Sequence, residues 1–217
     1  MSKVPDQQEF WNKKHLVGEH SEYRAKPSAF LHWAKEFIST GSTVLELGCG
    51  VGSDALELSK TAKSILATDF SESVVFSNKK IYSADNIEFS VVDVLNMSHL
   101  IDSGKTFDIV YANLSLHYFK DRDTRQVFES IHSLLNDNGL LVFAVKSTDD
   151  ITYGIGEKIA NNTFVSQKGH VRHLFDREYI SSLSLNGFTI SDYVETEDRL
   201  YGVKCNVIWC VLKRNEA

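Results

Sequence analysis

The chain has 217 residues, 42% of them hydrophobic and 24% charged, with a net charge of −6. Such a composition can bury a substantial core without disulfides, and the acidic balance supplies no global basic field for nucleic acid or an anionic membrane. No apolar run is long enough to span a bilayer, and the opening MSKVPDQQEF lacks the apolar core of a signal peptide.

The periodicity predicts a short amphipathic helix over residues 5–18, with Phe10, Trp11 and Leu16 on its apolar side. The loop GEHSEYRAKP leads to a second helix from about Ser28 to Ser39, where Phe30, Leu31, Ala34, Phe37 and Ile38 recur at helical spacing. Val44 to Leu47 reads as a short buried strand. Gly48, Gly50 and Gly52 follow as a turn with no side chains where a ligand would approach. Ser53 or Asp54 is placed to cap the next helix, which runs to about Thr61. Strand, glycine turn and helix start together are expected to offer free N–H groups and a helix dipole to a ligand.

Ser64 to Thr68 is the second strand and ends at Asp69, 21 positions after Gly48. That is the spacing of the acid that holds ribose hydroxyls in nucleotide-binding βαβ units. Ser71 then caps a helix through about Tyr82. Asn86 to Val92 is a third strand, ending at Asp93, and Thr106 to Ala112 a fourth, followed by NLSLHYF. A helix from about Arg122 to Leu135 and a turn at Asp137-Asn138-Gly139 come next. Leu140 to Val145 is a near-continuous apolar run, as expected of a strand buried on both faces. Residues 147–175 are polar and read as irregular. Asp176 to Asn186 is a helix with Gly187 beyond its end. Phe188 to Val194 and Cys205 to Leu212 are the last two strands, separated by the charged connection ETEDRLYG.

No repeat, linker or low-complexity stretch divides the chain, so one domain is expected over 1–217, with 1–40 as a helical cap and 147–175 as a lid insertion. Alternating strands and helices build a mostly parallel sheet. In such sheets ligands sit beyond the carboxyl ends of the strands, where the strand order reverses. Gly48 to Gly52, Asp69, Asp93 and Asn113 all fall at predicted strand ends. The three cysteines, Cys49, Cys205 and Cys210, show no metal-ligand spacing and are expected as reduced thiols in a cytoplasmic protein. On that reading the N-x-S/T triplets at Asn113 and Asn161 carry no weight.

From about Pro27 to Lys213 the chain resembles the class I S-adenosylmethionine-dependent methyltransferases, most specifically at ELGCGVG, ATDFS, VVDVL and ANLSLHYF. It is similar in outline to small-molecule enzymes of that class, including the tellurite-resistance and thiopurine groups, and EFWNKKH resembles their Trp-bearing lead-in. The resemblance implies a Rossmann-like three-layer α/β sandwich, with a seven-stranded, mostly parallel sheet ending in an antiparallel hairpin. It implies S-adenosylmethionine as donor. The Gly48–Cys49–Gly50–Gly52 loop would approach the methionine half and the sugar, with Glu46 supporting it. Asp69 would hold the ribose hydroxyls and Phe70 would lie along the adenine. Asp93 would accept from the adenine amino group beside Val94, and Asn113 would sit near the methionine end.

The acceptor side is less defined. His117 and Tyr118 after the fourth strand, and His170, Arg172 and His173 in GHVRHLF, are candidates to bind, orient or deprotonate an acceptor. Trp11, Tyr23 and Arg24 are candidates from the N-terminal region. Sulfonium methyl transfer requires no metal, so none is assigned to His170, His173 and Asp176. The expected function is in-line methyl transfer to a small molecule.

Two alternatives stand beside it. A non-catalytic donor-binding regulator would keep the same loop and acids. An NAD-dependent oxidoreductase would share the turn and the later acid, but Ser53 stands where the dinucleotide fingerprint wants Gly or Ala, and no Tyr-x-x-x-Lys pair occurs. Asn113-Leu114-Ser115-Leu116 lacks the Asn/Asp-Pro-Pro-aromatic signature of DNA amino-methyltransferases, and a nucleic acid partner is not expected.

Overall fold

The computed structural model describes residues 9, 11–13, 26–167, 169–185, 187–200 and 202–216. Of the helix expected over 5–18, residues 9 and 11–13 are described, and they are helical; Phe10 and Leu16 lie outside the described residues.

Seven strands form one sheet in the order β3-β2-β1-β4-β5-β10-β9. They are β1 (Thr43–Leu47), β2 (Ser64–Asp69), β3 (Ile87–Val91), β4 (Phe107–Asn113), β5 (Leu135–Lys146), β9 (Phe188–Leu200) and β10 (Val203–Arg214). The first five are parallel, and β10 runs antiparallel to both of its neighbours. The order reverses between β1 and β4, so the carboxyl ends of those two strands flank the switch-point crevice.

Helices cover both faces because alternate residues of the central strands point opposite ways. Val44 packs with helices α1 (Ala29–Ala34), α2 (Ser53–Leu58) and α3 (Glu72–Ile81) through Phe30, Leu58 and Val75. Leu45 and Leu47 pack on the other face with α4 (Ser98–Asp102), α5 (Asp121–Leu134) and α6 (Arg177–Ser184) through Leu100, Ile131 and Ile180. The expected three-layer α/β sandwich is the observed one.

Helix α4 was not expected, the turn expected at Asp137-Asn138-Gly139 lies within β5, and two longer stretches also differ from expectation. Residues 147–175 are not irregular throughout: β6 (Glu157–Ala160), β7 (Thr163–Val165) and β8 (Val171–His173) form a second, antiparallel sheet. Three short strands joined by tight turns leave little alternation to read. The charged connection ETEDRLYG is mostly strand: β9 runs through Leu200 and pairs with β10 up to Leu200↔Val203. The polar composition of this stretch reflects an arm that leaves the core, since β10 parts from β5 beyond Val207↔Lys146 while its pairing with β9 continues.

The base of that arm is held by one buried carboxylate. Asp150 accepts from Lys146 Nζ at 2.9 Å, from Thr152 N at 2.9 Å, from the Thr152 hydroxyl, and from Asn206 N at 3.0 Å. It joins the end of β5, the start of the 147–175 insert and the β10 strand of the arm. Burial raises its carboxyl pKa, but the Thr152 and Lys146 bonds outweigh burial and hold it below the ordinary value. Removing one partner of a buried pair strands the other, at about 3–5 kcal/mol. Asp150→Ala is therefore expected to lower unfolding free energy by about that amount in urea titrations. Because the folded-state pKa is depressed, the wild-type advantage should be full above the ordinary carboxylate pKa and disappear as pH falls through the depressed one.

Candidate functional site

A cavity of about 1260 Å³ opens at the carboxyl ends of β1, β2 and β4. Ligand pockets commonly measure about 300–1,000 Å³, so this one has room for more than a single small molecule. Its inner wall is Glu46, Gly48, Cys49, Gly50, Asp54 and Asp69, with Phe70, Asp93, Val94 and Asn113 alongside. Ten positions were expected to meet the donor; every one but Gly52 lines this space.

Gly52 faces elsewhere. A Cβ there would stand 3.0 Å from both the Phe89 and Tyr82 rings, so this glycine makes room for the helix layer, not for a ligand. Gly48 has φ 76°, and a Cβ on it would meet Ser115 Cβ at 2.5 Å. Ser115 in turn donates to Leu47 O at 2.7 Å, closing β1 against the segment after β4. Leu114, in that segment, takes the left-handed conformation with φ 54° and lines the cavity. Such a conformation is uncommon for a residue with a side chain and clusters at functional sites.

The turn is not the N–H cradle that its glycines suggested. Gly48 N and Cys49 N both donate to Thr68 O at 2.8 Å, and Gly52 N donates to Cys49 O at 2.9 Å. Gly50 N donates to Asp69 Oδ2 at 2.9 Å, while Ser71 N donates to Asp69 Oδ1 at 2.8 Å. Asp69 braces the turn from the neighbouring strand and still presents its carboxylate to the cavity. Neither Ser53 nor Asp54 caps α2; the N-cap is Gly52, with φ 77° and no side-chain bond.

Asp54 has another task, which sequence reasoning missed. Its buried carboxylate accepts from Ser28 N at 2.8 Å, Ser28 Oγ at 2.7 Å, Tyr111 Oη at 2.7 Å and Asn113 Nδ2 at 3.3 Å. One side chain thereby joins α1, α2 and the end of β4 in a single wall of the cavity. Ser28 also caps α1, accepting from Leu31 N at 3.0 Å. The only sequence signal for this role was an acid in an otherwise apolar helix start, which a cap explains equally well.

Glu46 lies beside Asp54 and is 2% exposed, and its Oε2 has no hydrogen-bond partner among the described residues. Burial, then Asp54, then Asp69, push its carboxyl pKa well above the ordinary value. A buried acid beside two others, with one oxygen unmatched, marks a place prepared for a positive charge. The Cys49 thiol is also held up, first by burial and then by Glu46 and Asp69, so it is no activated nucleophile. Asp93 accepts from Leu95 N at 2.9 Å at the other side of the cavity.

The acceptor candidates divide. Trp11 and Tyr118 line the cavity, their rings edge-on at 4.9 Å. Tyr23 and Arg24 lie outside the described residues. The three histidines and Arg172 are absent from the cavity wall. His117 is fully buried behind Tyr118, and neither ring nitrogen has a hydrogen-bond partner among the described residues. Burial, then the charges of Lys146 and Arg172, hold it well below the usual histidine pKa.

His170 contacts Ser166 Oγ at 2.9 Å through Nδ1 and accepts from Arg172 Nε at 2.8 Å through Nε2. His173 stacks on Tyr179 at 4.4 Å, and burial lowers its pKa to about 4. None of these histidines lines the cavity, and the motif GHVRHLF belongs to β8 and its packing. The strand alternation of three residues, V-R-H, was too short to show which side chains turn inward. Also missed were Glu197, Asp198, Arg199 and Lys204, which the β9–β10 arm brings to the outer cavity wall.

Residues 44–139 match a family model described as a methyltransferase domain. The chain is 35% identical to a phosphoethanolamine N-methyltransferase of Triticum aestivum over 104 residues, which are 48% of this chain and 20% of the wheat enzyme. It thus spans only a fifth of that relative's length. Its fold is similar to an S-adenosylmethionine-dependent methyltransferase of Anabaena variabilis, with TM-score 0.74 and 18% identity over 98% of each chain. It is also similar to the N-methyltransferase NodS of Bradyrhizobium japonicum, solved with S-adenosylhomocysteine, with TM-score 0.64 and 17% identity over 95% of this chain and 99% of that one. Glycine turn, strand-end acids, sheet order and family match agree: residues 44–139 match a methyltransferase domain, and the chain has the fold of S-adenosylmethionine-dependent methyltransferases.

Proposed function

We propose that the protein transfers the methyl group of S-adenosylmethionine to a small-molecule acceptor by in-line displacement, with Glu46, Asp54, Asp69 and Asp93 holding the donor. The observation that carries this reading is the acidic inner wall with its unmatched Glu46 oxygen. The donor carries a sulfonium and an ammonium, and both favour a wall of carboxylates. A dinucleotide would bring a pyrophosphate against the same acids and would find the N–H groups of Gly48, Cys49, Gly50 and Gly52 already bonded. The charge of the wall therefore weighs against the oxidoreductase alternative.

Glu46 and Asp54 would take the ammonium, near Asn113. Asp69 would accept from the ribose hydroxyls, Phe70 would lie along the adenine, and Asp93 would accept from its amino group beside Val94. When bound, the donor supplies an already activated methyl group. The protein's contribution is alignment and exclusion of water, and proximity alone can account for about 7–11 kcal/mol at best. With no histidine on the described cavity wall, alignment carries more of the reaction than a histidine base would. The acceptor faces elements outside the family match, from the arm to Trp11, so its identity does not transfer from the relatives.

We read the whole chain as one unit in which the 147–175 insert reaches the cavity through Val171. We also read the protein as cytoplasmic. Among the described residues no helix is long and apolar enough to cross a membrane, and all three cysteines are free and buried.

Two measurements test the donor site. Charge-assisted hydrogen bonds are worth about 1.5–3 kcal/mol each, so Asp69→Ala should weaken S-adenosylhomocysteine binding at least about a hundredfold. Because Asp69 also accepts from Gly50 and Ser71, the same variant should lose about 1–3 kcal/mol of stability. An unchanged affinity by calorimetry would leave Asp69 a brace of the turn and nothing more. Separately, the raised Glu46 pKa sets the sign of a pH effect. Protonated Glu46 is neutral and attracts no cation, so affinity should rise as pH increases through that raised pKa. Glu46→Gln should flatten the profile at the weaker level, and a wild-type profile that falls with pH would contradict the assignment.

A further inference from the structure

Charge is not spread evenly round the cavity. The inner wall is acidic, whereas the outer wall carries Lys26, Lys120, Arg199 and Lys204, in a chain whose net charge is −6. Three elements supply these cations. Lys26 precedes the Ser28 anchor on Asp54, Lys120 is the N-cap residue of α5, and Arg199 and Lys204 face one another across the β9–β10 arm, as paired residues of the two strands.

Their partners leave positive charge over. Among the described residues neither Lys26 nor Lys120 has a carboxylate partner. Lys204 pairs with Glu197 at 3.0 Å, which neutralises both. Arg199 donates a long bond to Gly202 O at 3.5 Å, and the Asp198 carboxylate accepts from Arg199 N at 2.6 Å. Asp123, one turn into α5, is the further acid on this wall. The arm itself is fixed in place, since Asn206 N donates to Asp150 and Asn206 Nδ2 donates to Asp149 O at 2.7 Å.

We infer that the outer wall is an anion subsite for the acceptor: Lys26, Lys120 and Arg199 hold a phosphate or carboxylate group of the molecule that is methylated. The inference rests on the donor reading above and adds the acceptor's class to it. A cavity acidic within and basic without orients two ligands of opposite charge, the cationic donor inside and an anionic acceptor outside. Their mutual attraction brings the nucleophile towards the methyl group. Lys26, Lys120 and Arg199 are exposed, so their attraction for an anion is screened by salt and is greatest at low ionic strength.

The test uses the full chain loaded with S-adenosylhomocysteine and compares small amines with and without an anionic group. Phosphoethanolamine, β-alanine and ethanolamine are the probes, so the phosphate and carboxylate arms are read separately against a neutral-tail control. At low salt, at least one anionic probe should bind tenfold or more tightly than ethanolamine. Lys120→Gln and Lys26→Gln should each reduce that preference several-fold while S-adenosylhomocysteine affinity stays within twofold of wild type. Equal binding of all three probes, or no binding of either anionic probe at millimolar concentration, would overturn the subsite. So would a preference that survives the Lys26→Gln, Lys120→Gln double variant. Failure of S-adenosylhomocysteine itself to bind would instead overturn the donor reading, so the two outcomes are separable.

Discussion

The Asp54 carboxylate is the interaction on which the rest of the site depends. Four donors from Ser28, Tyr111 and Asn113 converge on it, two from the residue that caps α1 and two from the end of β4. A hydrogen bond to a charged group contributes about 1.5–3 kcal/mol, and an unmatched buried partner costs a similar amount. The first helix, the helix after the glycine turn and the end of β4 therefore hold one another in register through a single charge. The Tyr111 phenol is kept protonated there, since burial and then Asp54 push its pKa well up. The arrangement also spends most of Asp54's hydrogen-bonding capacity on the protein, leaving Glu46 with the unmatched oxygen beside it.

That acidity explains the departure from a phosphate-binding turn. In a dinucleotide site the glycine turn leaves N–H groups for an anion. Here Thr68 O takes two of them and Asp69 a third. The glycines serve conformation and close approach: Gly48 against Ser115, and Gly52 against Tyr82 and Phe89. The same sequence motif thus supports opposite charge preferences, and the neighbouring carboxylates decide between them.

Much of this was legible in the residues. The alternation of apolar runs and helical spacing set out the five parallel strands, because strands buried on both faces leave a continuous apolar signal. Asp69 and Asp93 could be placed at strand ends because those ends are marked by a polar residue after an apolar run. Asp176, expected as the first residue of a helix, is the N-cap of α6 and accepts from Tyr179 N at 2.7 Å. What escaped was the long-range pairing. No local pattern says that Asp54 meets Ser28 and Tyr111, that the ETEDR stretch is strand, or that His170 and His173 turn into the packing of a three-stranded sheet. A charged arm and a charged loop have the same composition, and only the partner strand distinguishes them.

The central claim is that the acidic inner wall receives the cationic end of a sulfonium donor. A crystal structure with S-adenosylhomocysteine tests it most directly. The ligand's amino group is expected within hydrogen-bond distance of Glu46 or Asp54, its ribose hydroxyls on Asp69, and its sulfur turned towards Tyr118 and the outer wall. A ligand bound with its amino group away from Glu46 and Asp54, or lodged outside this cavity, would contradict it.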